Sequence, residues 1–271
     1  MTCVPRLIRQ LILKSCKPDF RNRLRRIHSV HQIIHKHYVC EPEMKLIRSL
    51  VFFGDSVADV GANVGVYTME LSSAVGPKGK VYSFEPIAEN YDILTSLLRK
   101  AHLKNVFPFH AALGSVSAEG EMVVPDMEGF VGYYWAHLAK PEEQGRRENV
   151  KVLTLDQLAG AGTISRLDFV KCDVEGGELN VIVGGLATIR SQKPGWLVEV
   201  SRETSGAVFG FLQEEGYRAF VLDGRLVETE KYRDKEFSNY FFLHPRSVCW
   251  ERARPLFLNN IIPHSQDAAF V

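Results

Sequence analysis

The sequence predicts an α/β fold built on a mostly parallel sheet with helices on both faces. Three observations carry the prediction. Short apolar runs alternate with helix-patterned stretches from about residue 56 onward, and the runs are continuous rather than alternating, as strands covered on both sides require. The first run feeds a glycine turn, Gly61 to Gly65, that opens a helical pattern. A second run, Lys80-Val-Tyr-Ser-Phe84, ends in an acid, Glu85, about 20 residues further on.

Taken in order, residues 1–40 read as a basic helical arm, 41–245 as the main domain and 246–271 as a tail. In the arm, Leu7, Ile8, Leu11 and Ile12 stand at helical spacing among Arg6, Arg9, Lys14 and Lys17, and Pro18 is expected to end that helix. Arg21 to Val39 sets Leu24, Ile27 and Ile34 against Arg21, Arg23, Arg25, Arg26 and Lys36. Such a basic arm either makes peripheral contact with an anionic membrane or substrate, or packs on the domain or a second subunit. His28, His31, His35 and His37 lack flanking acids, so no metal site is expected.

A helix should begin at Glu41-Pro42 and bury Met44, Ile47 and Leu50. Strand one is expected over Ser56 to Val60, its helix over Val66 to Val75, and a return turn at Gly76 to Gly79. Strand two follows at Val81 to Phe84, then a helix from Ile87 to Ala101 with Tyr91, Leu94, Leu97 and Leu98 inward. Strand three spans Val106 to Phe109. Glu121 to Val124 and Asn149 to Val152 read as strands flanking a polar insertion that holds Tyr133, Tyr134 and Trp135. An insertion of that size near a fixed site is a candidate substrate cover, although three adjacent aromatics serve a core equally well.

Thr154 opens a short helix, and Asp168 to Cys172 is strand four. Beyond it come Asp173, Glu175 and Glu178 around Gly176-Gly177. Acids that dense at a strand end are costly unless they serve a ligand or are solvated, which makes this the leading candidate active site. A helix over Glu178 to Arg190 should turn Leu179, Ile182, Val183 and Leu186 to one side. Strand five, Gly195 to Val200, delivers Glu199 to the same sheet edge. A helix over Ala207 to Glu215, strand six over Tyr217 to Leu222, a turn at Asp223-Gly224 and a last strand over Asn239 to His244 complete the domain.

The glycine turn itself narrows the ligand. Gly61 and Gly65 permit positive φ and close approach to the main chain, and Glu85 is placed to accept the hydroxyls of a ribose. The turn is G-x-x-x-G after Asp59, without the second glycine that admits a pyrophosphate. A carboxylate at Asp59 repels phosphate and suits a sulfonium, so S-adenosylmethionine (SAM) is favoured over NAD.

The blocks Asp59-Val-Gly-Ala-Asn-Val-Gly-Val-Tyr-Thr68, Phe84-Glu-Pro86, Ala112-Leu-Gly114, Thr154-Leu-Asp156 and Lys171-Cys-Asp-Val-Glu-Gly-Gly-Glu178 resemble, in content and order, the FkbM-type SAM-dependent methyltransferases. The resemblance covers roughly residues 45 to 245. It implies a class I methyltransferase fold: a Rossmann-like, seven-stranded, mostly parallel sheet whose last strand inserts antiparallel between the fifth and sixth, preceded here by the helical arm. It also implies O-methylation of a sugar, polyketide or other small-molecule hydroxyl. Asn63, Thr68 and Pro86 join Asp59, Gly61, Gly65 and Glu85 in its cofactor blocks, and Ala111 lies where it places the adenine ring.

Methyl transfer from a sulfonium needs alignment more than strong base, and a carboxylate or lysine near the acceptor can take its proton. Asp173 and Glu199 are the candidates for that task. Lys171 either holds the acceptor or tunes Asp173, and Glu175 faces the acceptor side. Asp173 and Glu199 as metal ligands are disfavoured because the Asp-Asn partner pair of metal-dependent O-methyltransferases is missing. Neither an Asn/Asp-Pro-Pro-aromatic turn nor a Pro-Cys pair is present, which argues against nucleobase methylation. A binding-only nucleotide module and an NAD-dependent oxidoreductase stand as alternatives.

Composition sets the outer bounds. With 271 residues, 45% hydrophobic, the chain can bury a full core. Lys plus Arg (33) nearly balances Asp plus Glu (32), so no overall field selects nucleic acid. The five cysteines are scattered, with no C-x-x-C pair, and suggest neither a disulfide framework nor zinc. No apolar run approaches the length of a membrane span, and the expectation is a soluble cytoplasmic protein with a small-molecule or glycan acceptor.

Overall fold

A computed structural model describes residues 18–124, 126–127, 130–131, 137–138, 145–234 and 237–257. The helix expected over residues 5–17 and the aromatics Tyr133, Tyr134 and Trp135 lie outside the described residues. In chain order the elements are α1 (Pro18–Ile34), α2 (Pro42–Leu50), β1 (Ser56–Val60), α3 (Val66–Val75), β2 (Lys80–Phe84), α4 (Ala88–Lys100) and β3 (Val106–Phe109). There follow β4 (Ala112–Leu113), β5 (Ala118–Val124), β6 (Asp126–Met127), β7 (Phe130–Val131), β8 (His137–Leu138), β9 (Arg146–Leu153), α5 (Leu155–Gly160) and β10 (Phe169–Cys172). The last are α6 (Glu178–Val183), α7 (Leu186–Gln192), β11 (Gly195–Glu199), α8 (Arg202–Glu214), β12 (Arg218–Asp223), β13 (Arg225–Thr229), β14 (Asn239–Leu243) and α9 (Val248–Ala253).

The central sheet runs β13-β12-β14-β11-β10-β1-β2-β3. The five strands from β3 to β11 are mutually parallel, and β14 lies antiparallel between β11 and β12. This is the expected class I methyltransferase arrangement with one strand more than seven, because Gly224 (φ +64°) reverses the chain at once into β13, antiparallel to β12. β1 and β10 are buried at every position, as interior strands of a doubly covered sheet must be.

Side chains alternate across the sheet, and each face meets its own helices. One face (Ala58, Val170, Trp196, Val198) packs on α5 to α8, and the other (Val57, Phe169, Leu197, Phe241) on α2, α3 and α9. α9 carries Cys249, Trp250 and Ala253 into that second core, and Phe257 stacks on Phe220 at 4.8 Å. α1 lies against α4 through Val30 and Ile33, which cluster with Val64, Ile93 and Leu97.

Four elements differ from the sequence expectation. The helix expected over Glu178 to Arg190 is broken at Gly184-Gly185: a Cβ on Gly184 would fall 2.0 Å from the Gly114 carbonyl oxygen, so two main chains meet there. The buried residues of α6 become Glu178, Val181 and Ile182. α8 begins at Arg202 rather than Ala207, because Ser201 and Thr204 form a reciprocal capping box. Pro18 begins α1. Finally, Ala112–Leu113, where the sequence predicts no strand, pairs in parallel with Val152–Leu153, seeding a second sheet in the order β4-β9-β5-β8.

Candidate active site

Strand order reverses between β1 and β10, since β2 and β3 extend to one side of β1 while β10 and β11 extend to the other. A crevice opens at the carboxyl ends of the strands at such a switch point, and ligands bind there. Two loops meet across it. Gly61 (φ +77°) follows β1, and a Cβ on it would stand 1.8 Å from the carbonyl oxygen of Asp173, which follows β10. Only glycine lets the two strand ends close that tightly. The space is filled by the chain itself, a need that the spacing G-x-x-x-G does not disclose.

On the β2 side, Glu85 is buried, 4% exposed. Its carboxylate accepts the Asn63 amide (2.8 Å), the Ile87 amide (2.9 Å) and the Asn90 side-chain amide (3.4 Å). Burial raises its pKa to about 7 against these hydrogen bonds. Asn63 itself sits in the left-handed region (φ +51°), and its Oδ1 is buried without a hydrogen-bond partner. Ala111 is buried and Pro86 half-buried nearby in sequence to the β3 and β2 ends. An acid at the end of β2, main-chain amides of a left-handed turn and an unsatisfied buried amide oxygen fit the adenosine end of a nucleoside cofactor.

Asp59 and Thr68 lie beneath the turn rather than in its mouth. Both are fully buried; Thr68 Oγ1 donates to Asp59 Oδ2 at 2.5 Å and pairs with Ser83 Oγ at 3.0 Å. They tie the first turn of α3 to β1 and β2. Burial raises the Asp59 pKa, and Lys171 opposes that rise.

On the β10 side stand the acids. Lys171 pairs in register with Asp59 across β1 and β10 and is 5% exposed. Its Nζ donates to Asp173 Oδ2 at 2.9 Å and lies 4.8 Å from the centre of the Tyr67 ring. Burial disfavours its charge, but Asp173 and Asp59 more than offset this and hold it protonated. Asp173 shares a hydrogen bond with Glu199 from the end of β11. Burial pushes Asp173 up, but Lys171 and Glu199 bring it below the usual carboxylate range. Glu199 moves the other way, to about 8, through burial, the Asp173 charge and their shared hydrogen bond. The pair therefore holds one proton near neutral pH, on the Glu199 side.

Glu175, at φ +55°, is exposed on the following turn, and its charge adds to the rise of Glu199. Glu178 folds back beneath it, 2% exposed, accepting the Gly176 amide at 2.8 Å. Two further residues border the cluster that the sequence reading assigned no role. Tyr67, inside the glycine-turn block, puts its ring beside Lys171 and donates its hydroxyl to Glu41 at 2.5 Å. Glu41 precedes α2, and nothing in its local sequence marks it, because the contact spans 26 residues.

A family model, the methyltransferase FkbM domain, matches residues 59–219. The hexuronic acid methyltransferase AglP of Haloferax volcanii is 28% identical over 137 residues, which are 51% of this chain and 52% of AglP. The AMB antimetabolite synthetase AmbE of Pseudomonas aeruginosa is 23% identical over 221 residues, 65% of this chain and 10% of AmbE. The chain thus spans about half of one of these curated relatives and a tenth of the other. Among solved structures, a methyltransferase FkbM from Methylobacillus flagellatus aligns with a TM-score of 0.49 at 18% identity, covering 86% of this chain and 57% of that one. The family match opens at Asp59, under the glycine turn, and ends in β12, so that it takes in both halves of the crevice and more than half of the 271 residues. On that ground the chain belongs to the methyltransferase FkbM domain family.

Proposed function

We propose that this protein is a SAM-dependent methyltransferase acting on a hydroxyl of a sugar, glycan, polyketide or other small molecule. The observation that carries the reading is the meeting at one crevice of the Gly61–Asn63–Glu85 cradle with the Lys171–Asp173–Glu199 cluster, within one family-matched stretch. SAM would supply a methyl group already activated by its sulfonium. Glu85 would hold the ribose hydroxyls, with Asn63, Pro86, the loop amides and Ala111 around the nucleoside. Asp59 and Thr68 would hold the turn in shape from below.

The chain's own chemistry lies in the cluster. Asp173, ionised beside Lys171, is suited to accept the acceptor hydroxyl's proton as its oxygen is alkylated, a step that needs little basicity because the donor is reactive. Glu199, protonated, would keep that carboxylate in place through its hydrogen bond. Lys171 would balance the buried charge of Asp59 and Asp173. Similarity to a hexuronic acid methyltransferase supports a sugar acceptor, and Glu175 would stand on the acceptor side. Among the described residues no helix is long and apolar enough to cross a membrane.

Isothermal titration tests the reading against its rivals. Micromolar binding of SAM and S-adenosylhomocysteine without NAD binding is expected; NAD binding without SAM binding would return the chain to the oxidoreductases. Labelled SAM with candidate sugar acids and mass analysis of the product then identifies the acceptor. Glu85→Ala should weaken SAM binding by roughly 1–3 kcal/mol, the cost of leaving ribose hydroxyls unpaired. Because burial raises Glu85 to about 7 and only the ionised form accepts both hydroxyls, wild-type affinity should fall as pH drops below about 7. Affinity indifferent to both changes would remove Glu85 from the ribose.

A further inference from the structure

α1 turns apolar side chains both inward and outward. Its inner face is committed: Val30 and Ile33 are buried against α4, and Arg25 Nη2 donates to Asn90 Oδ1 at 2.7 Å. Asn90 is the residue whose amide reaches Glu85. On the opposite face Phe20, Leu24 and Ile27 are 52%, 38% and 57% exposed. At about 100° per residue the three fall within an arc of about 60°, forming a stripe about 10 Å long. Single exposed apolar residues are ordinary on a protein surface, but three in register on the outer face of a fastened helix are not.

The surroundings of the stripe are basic. Arg23 is exposed beside it, Arg21 is half-buried at its border, and His28 and His31 share the outer face. Residues 1–40 hold nine Lys/Arg and a single acid, Asp19. This charge decides among the surfaces that could cover the stripe. A second copy docked face to face would bring two basic helices together, which like-charge repulsion opposes. Residues 1–17 contain four Lys/Arg and no acid, so folding them over the stripe would add charge of the same sign. An anionic bilayer satisfies both features at once, taking the apolar side chains at its acyl boundary and the arginines among its headgroups.

We propose that the outer face of α1, centred on Phe20, Leu24 and Ile27 and bordered by Arg21 and Arg23, docks the protein on an anionic lipid surface. The surface lies apart from the Lys171–Asp173–Glu199 cluster, so it stands or falls separately from the methyltransferase reading.

Vesicle co-sedimentation of the full chain tests it, using phosphatidylcholine vesicles with and without about one-third phosphatidylserine. Binding to the anionic vesicles alone is expected, weakening with salt. Phe20→Ser, Leu24→Ser and Ile27→Ser together should abolish it. Arg21→Gln and Arg23→Gln together should weaken it roughly thirtyfold. All five side chains are at least partly exposed, and an unchanged thermal unfolding midpoint will show that the variants fold. Three results would overturn the proposal. One is equal or absent binding to both vesicle types. Another is self-association by sedimentation velocity that the triple serine variant removes, which would make the face a dimer contact. The last is complete displacement by short duplex DNA at equal phosphate concentration, which would make it a general phosphate-binding surface.

Discussion

Lys171→Met should destabilise the folded chain by about 3–5 kcal/mol at pH 7, the usual cost of removing one partner from a buried charge pair. The lysine is 5% exposed, and its Nζ is 2.9 Å from Asp173 and in register with the fully buried Asp59. Methionine keeps the volume and the contact with Tyr67 but leaves two carboxylates without a cation. The pH dependence distinguishes this cause from a packing fault. Asp173 is held below its ordinary range by Lys171, so in the wild type it contributes stability that is present above its unfolded pKa and lost as pH falls through the folded one. Without the lysine that contribution disappears, and Asp59, already raised by burial, rises further and takes up a proton. The gap between variant and wild type should therefore narrow as pH falls from 7 through protonation of Asp59, and narrow further below about 4, where the wild type loses the Asp173 contribution. Urea unfolding at several pH values measures it. A pH-independent loss under about 1 kcal/mol would mean that water already neutralises the cluster.

Asp173→Asn should lower kcat by about 10²- to 10⁴-fold, the range for removing a positioned proton acceptor, while S-adenosylhomocysteine affinity changes little. Equal losses in both would make Asp173 part of the cofactor cradle instead. Glu199 adds a signature in pH. With its pKa raised to about 8, it is neutral and donating near pH 7; above about 8 it ionises beside Asp173 and the shared hydrogen bond gives way to repulsion. The pH profile of kcat/KM should fall on its alkaline side near 8, and Glu199→Gln, which cannot ionise, should remove that limb. Stability follows the same sign. A carboxyl raised in the folded state stabilises fully below its unfolded pKa and loses that contribution as pH rises through about 8. Glu199→Gln should flatten wild-type stability between about pH 5 and 9. If the alkaline limb persists in the variant, another group produces it.

Much of the sheet was legible because strand and helix leave separate periodicities. Ser56–Val60, Lys80–Phe84, Val106–Phe109, Phe169–Cys172 and Gly195–Glu199 fall where the apolar runs stand. The boundaries that failed depended on partners far away or on chemistry weaker than the hydrophobic pattern. Gly184-Gly185 breaks a helix because Gly114, 70 residues earlier, comes against it. The capping box at Ser201 and Thr204 starts α8 five residues before its apolar stripe. The residue types at the crevice were likewise visible in the blocks from Asp59 to Thr68 and from Lys171 to Glu178, but their division of labour was not. Asp59, read as facing the ligand, is a buried strut; Tyr67 and Glu41, read as helix residues, border the acids.

The sequence by itself determined the order of strands and helices, the glycine turn, the acid at the end of the second strand and the family, because each is written in local spacing or in short contiguous blocks. Tertiary structure decided which of those acids is ionised and which keeps its proton. That depends on burial and on the distance between β1, β10 and β11 at one end of the sheet, and residues 59, 171, 173 and 199 acquire a common electrostatic environment only when the strands pair.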